Sequence, residues 1–89
     1  MNPLQSKQVA WNTLGDCVVI LDMSNQKEHQ IHELSLEASF IWKKCDGLQS
    51  IESIANDLSS EFDVDIDSAM TDVQSFLNEM KTLQLISFK

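Results

Sequence analysis

The chain has 89 residues, 43% of them apolar, and a formal charge of −8 from 14 acidic side chains against six lysines and no arginine. That length holds one domain with a modest core, and the apolar content excludes intrinsic disorder. The charge sets the chain against nucleic acid and anionic membrane.

Residues 1–7 read as a loose arm on an otherwise single domain spanning 1–89. The opening Met1-Asn2-Pro3-Leu4-Gln5 lacks the basic and apolar regions of a signal peptide. The longest apolar run, Cys17 to Leu21, is far too short to span a bilayer. A cytoplasmic location is therefore expected, with Cys17 and Cys45 as reduced, buried thiols.

Val9 and Trp11 alternate with polar neighbours, as in a short strand. Asn12-Thr13-Leu14-Gly15-Asp16 reads as a turn. Cys17 to Asp22 is a β-branched run whose continuity predicts a central strand covered on both faces. Ser24 to Lys27 reads as a hairpin turn, and residues 28–34 as a third, more polar strand. A polar strand beside a hydrophobic one suits an exposed edge.

Three helices follow. Ser35 is positioned as an N-cap, and Ala38, Ile41, Trp42 and Cys45 fall on one helical face before Gly47, which can end that helix in a left-handed conformation. Ser50 opens a second helix with Ile51, Ile54, Ala55 and Leu58 inward, extended by Phe62. Asp63-Val64-Asp65 is a connector whose Asp65 caps a third helix. Its stripe is Ala69, Val73, Phe76, Leu77, Met80 and Leu83. Leu85, Ile86 and Phe88 alternate as a terminal extension packing back on the core. The expected class is α+β: a three-stranded antiparallel sheet followed by three helices, with a winged-helix outline.

The chemistry-bearing residues do not assemble into a reaction centre. His29 and His32 are three apart on a strand, so they point to opposite faces and do not chelate one ion. Cys17 and Cys45 add none of the paired spacing of a zinc site. Asp63, Asp65 and Asp67 lack the glycine and terminal glutamate of a calcium loop. No nucleophile has a partnering base, and the two isolated glycines make no phosphate loop. No enzymatic activity, cofactor or metal is expected.

Ser68, after Asp67 at a helix start, raises the reading of an acidic carrier protein, but such carriers are all-helical and continue through further helices after the serine. A DNA-binding winged helix fails on charge. The third helix carries Asp67, Asp72 and Glu79, with Lys81 only at its end, and phosphate contacts need Lys and Arg. What remains is the edge strand, which either offers an extended peptide unpaired backbone groups or is merely an edge guarded by Lys27, Glu28 and Glu33.

Taken in order, Leu34-Ser35, Ile41-Trp42, Asp46-Gly47, Ile54-Ala55-x-x-Leu58, Phe62-Asp63-Val64-Asp65, Asp72-Val73-x-x-Phe76-Leu77 and Leu85-Ile86 resemble the PqqD family. That family is named for the pyrroloquinoline quinone biosynthesis chaperone and is also described as the RiPP recognition element, for ribosomally made and post-translationally modified peptides. The chain departs from its pattern at Gln84, where a glycine often stands, and in the polar character of residues 28–33.

The resemblance implies binding of a precursor's leader segment as an added strand, and delivery of the precursor to a modifying enzyme such as a radical SAM enzyme or a leader protease. Main-chain partners would lie in His29, Gln30, Ile31, His32, Glu33 and Leu34, with Ile31 and His32 touching leader side chains. Val73, Phe76, Leu77 and Met80 are the helical candidates, of which one or two would face the cleft. Neither nucleic acid nor membrane is an expected partner. The alternative is an acidic winged-helix regulatory or dimerisation module, with homodimers formed through the open edge.

Overall fold

The computed structural model describes residues 1–22 and 30–89. The expected turn at Ser24 to Lys27 lies outside them, as does His29. Strands β1 (Pro3–Gln5), β2 (Val9–Leu14), β3 (Cys17–Asp22) and β4 (Gln30–Glu33) precede helices α1 (Leu36–Lys43), α2 (Ile51–Phe62) and α3 (Ile66–Thr82), and β5 (Ile86–Phe88) closes the chain. β2, β3 and β4 form an antiparallel sheet in that order. Sheet and three helices together are the α+β architecture the sequence predicts.

The β2–β3 turn is tighter than the sequence suggested. Leu14 pairs with Cys17, which leaves Gly15 and Asp16 as the whole loop. Gly15 supplies the positive φ, 63°, that a two-residue hairpin needs at its first position.

β3 is central, but only one of its faces is enclosed. Val18 and Ile20 are fully buried, whereas Cys17, Val19 and Leu21 on the opposite face are half-buried. Helices cover one side of the sheet and leave the other open.

Each helix begins as its sequence dictates. Ser35 Oγ accepts the Ala38 amide at 3.2 Å, Ser50 Oγ accepts Ser53 at 3.1 Å, and Asp65 Oδ1 accepts Ser68 at 2.8 Å. The core joins β3 to the helices through Ile20, Ile41, Trp42, Ile54, Leu58, Val73, Leu77 and Leu85. Trp42 lies at its centre and meets Trp11 edge-on, with ring centroids 6.3 Å apart.

The N-terminal arm is not loose. Pro3, Leu4 and Gln5 pair antiparallel with Phe88, Ser87 and Ile86. Gln5 also donates through Nε2 to the Trp42 carbonyl at 2.8 Å, and its Oε1 accepts Trp11 Nε1 at 3.1 Å. Both ends of the chain are thereby fastened over the α1 terminus.

Gly47 has the expected left-handed φ of 80°, but it does not end α1, whose C-cap is right-handed Lys44. Its N–H donates to the Pro3 carbonyl at 2.9 Å, and a Cβ there would sit 3.3 Å from Leu4 Cδ1. The positive φ is what favours glycine here, and the close approach of the N-terminal strand leaves little room for a side chain.

Gln84 takes the left-handed position that a glycine usually fills, with φ 62°. Its N–H donates to Lys81 and that of Leu85 donates to Met80, at 3.0 and 2.9 Å. The pair of bonds is a Schellman closure of α3.

Candidate peptide-binding edge

β4 lies at one end of the three-stranded sheet, and among the described residues no strand pairs with its outer side. The register decides what that side offers. Leu34 N–H donates to the Val18 carbonyl at 2.9 Å, so Leu34 faces β3 with its backbone. In an antiparallel ladder the backbone groups of alternate residues point to the same side. His32, opposite Ile20, and Gln30, opposite Asp22, therefore also face β3. Ile31 and Glu33 turn their N–H and C=O groups to the open edge. Of the expected main-chain partners within the described residues, these two are available, while Gln30, His32 and Leu34 are engaged inward.

Side chains follow the same alternation. Ile31, opposite Leu21, is 67% exposed on the uncovered face of the sheet. Glu33 is exposed on that face as well. His32, opposite buried Ile20, turns to the helical side and is half-buried. Leu34 is buried and belongs to the core.

Ser39 fixes the end of this strand. It is buried on α1, its Oγ accepts the Val18 amide at 2.7 Å, and it donates to the Leu34 carbonyl at 3.4 Å. One hydroxyl thus joins α1, β3 and the residue following β4. Sequence reading passed over Ser39, because a serine within an apolar helical stripe gives no sign of which backbone it meets.

The candidates on α3 are more enclosed than a binding wall requires. Val73 and Leu77 have essentially no exposed surface, Met80 is 3% exposed and Phe76 is 8% exposed. All four are core residues, and Phe76 retains the most surface of them.

Sequence reading also missed the apolar character of the open sheet face. Ala10, Leu14, Val19, Leu21 and Ile31 line one shallow depression there, with Leu14 72% exposed. Leu14 had read as part of a turn, and the alternation that puts it on this face appears only once the hairpin register is known.

The thiols have separate surroundings. Burial, reinforced by the Asp46 carboxylate, pushes the Cys45 thiol up to about 12, and its Sγ–H meets the Ile41 carbonyl at 3.2 Å. A thiol held protonated in this way is no nucleophile. Cys17 is half-buried on the other side of the sheet. Among the described residues no group of three or more His, Cys, Asp or Glu could hold a metal ion. No helix among them is long and apolar enough to cross a membrane.

The sequence matches the profile of Coenzyme PQQ synthesis protein D (PqqD) over residues 17–86, from β3 to the start of β5. The chain belongs to the PqqD family. A solved structure described as TbiB1 in complex with the TbiA(β) leader peptide superposes with a TM-score of 0.83, covering 94% of each chain at 23% identity. At that identity the likeness establishes a shared fold. No curated protein matches the chain.

Proposed function

We propose that this PqqD-family chain binds the leader segment of a ribosomally made precursor peptide as a fourth strand beside β4, and presents the rest of the precursor to a separate modifying enzyme. The observation that carries this reading is the open edge of β4, where Ile31 and Glu33 turn outward donors and acceptors that no strand among the described residues pairs with. The complex of TbiB1, which shares the fold, with a leader peptide supports the same reading.

Binding by strand addition is sequence-tolerant, because the ladder uses backbone groups. Each such hydrogen bond contributes only about 1 kcal/mol net, and the short β4 supplies few of them. Apolar anchors must add the rest, at about 1.5–3 kcal/mol for each fully buried side chain. Ile31 provides one such surface on the open face, and Phe76 is our candidate from α3. The chain makes and breaks no bond. It raises the effective concentration of the tethered precursor at its enzyme, which a radical SAM enzyme or a leader protease would supply.

β2 is the opposite edge of the sheet and could in principle accept a strand. Gln5 is fastened beside it through Trp11, which favours β4. Titration of the 15N-labelled chain with leader segments of precursor peptides encoded near its gene tests the assignment. Perturbed amides in β4 and part of α3 are expected, and a response confined to β2 would overturn it.

A further inference from the structure

We infer that His32 selects, at the leader position seated beside it on the helical side of the sheet, a residue ending in an uncharged hydroxyl or carboxamide. The inference rests on strand addition at β4 and adds a chemical preference to it.

His32 differs from its neighbours in what remains unsatisfied. Its backbone groups face β3, so an added strand meets this residue through the side chain alone. That side chain lies on the inner face opposite Ile20, which is fully buried. Its Nε2 is shielded from solvent and has no hydrogen-bond partner among the described residues. A polar atom removed from water without a partner carries a free-energy penalty, and a ligand that supplies the partner recovers it.

Strand addition places one leader side chain on the same face as His32, with directly opposed Cβ atoms about 4.5–5.5 Å apart. A side chain of two to five heavy atoms spans that gap once the imidazole turns about its ring torsion. The ring nitrogen can donate or accept according to tautomer, and a hydroxyl or carboxamide can do either in return. A carboxylate would bring a further negative charge to a chain of net charge −8, and a cation would be brought against apolar Ile20. Both lose to the neutral group.

The test is a paired selection of displayed random ten-residue peptides against the wild-type chain, His32→Phe and His32→Gln. Circular dichroism first establishes that each variant is folded. Wild type and His32→Gln should enrich Ser, Thr, Asn or Gln at one position of the binders, and His32→Phe should lose that preference. Replacing the enriched residue by Val should weaken binding to wild type on the order of tenfold, and binding to His32→Phe by less than about twofold. Binders that shift the Ile31 and Glu33 amides, yet carry the same apolar residue at that position for all three proteins, would overturn the role of His32 and leave strand addition standing. Binders that leave both amides unmoved would overturn strand addition itself, and this inference with it.

Discussion

The hydroxyl of Ser39 accepts the amide of Val18 at 2.7 Å inside the core. Val18 begins the buried face of the central strand, and its carbonyl receives the Leu34 amide. Through this one side chain, α1 sets the position of the strand proposed to receive the leader.

Ser39→Ala leaves the Val18 N–H buried without its acceptor. An orphaned buried donor costs about 1–3 kcal/mol, and in a domain of this size each kcal/mol lowers Tm by about 4–8 °C. Thermal melting should show that loss. Ser39→Thr, which keeps the oxygen, should recover part of it. A Ser39→Ala chain as stable as wild type would show that the hydroxyl does not hold the strand.

Gln84 closes α3 with φ 62°, where an L side chain is strained. Gln84→Gly should stabilise the fold by about 1 kcal/mol, the strain relieved less the extra backbone entropy of glycine. Urea unfolding checks this as a higher midpoint at unchanged slope.

The capping bonds from the Ser68 backbone and hydroxyl hold the Asp65 carboxyl below its ordinary value of 3.8. A carboxyl whose pKa is lowered on folding stabilises above its unfolded pKa, and that contribution fades as pH falls through the folded value. Wild type should therefore be more stable than Asp65→Ala at neutral pH, with the gap narrowing below about pH 4. Paired thermal melts across that range measure it. A gap independent of pH would mean that the ionised carboxylate is not what caps α3.

The local signals in the sequence were legible and the distant ones were not. Ser35, Ser50 and Asp65 could be read as caps because each bonds an amide three residues ahead. Pro3–Gln5 could not be read as a strand, since it becomes one only by pairing with Ile86–Phe88 at the far end of the chain. Gly47 could be read as left-handed, and its φ is 80°, but the approach of Leu4 to it could not be read. The apolar run Cys17 to Leu21 gave a central strand correctly, yet suggested cover on both faces where only Val18 and Ile20 have it. The polar edge strand was visible as such. Which of its residues turn outward depends on the register, and the register is set by Val18 and Leu34.

That register gives proline substitutions opposite meanings at adjacent positions. Ile31→Pro removes an N–H that faces the open edge, which an edge strand tolerates. His32→Pro removes one that bonds to β3. Ile31→Pro should weaken leader binding on the order of tenfold with little loss of Tm, while His32→Pro should mainly destabilise the fold. Calorimetric titration together with thermal melting separates the two. A large fall in Tm for Ile31→Pro would show the outward assignment to be wrong.

Hydrogen exchange of single amides, with and without a leader peptide, reads strand addition most directly. In the free chain the Ile31 and Glu33 amides should exchange quickly, and those of His32 and Leu34 slowly. Bound leader should slow Ile31 and Glu33 selectively, because these two amides become part of a new ladder. Protection gained along Val9–Leu14 instead, with Ile31 and Glu33 still exchanging quickly, would contradict the account.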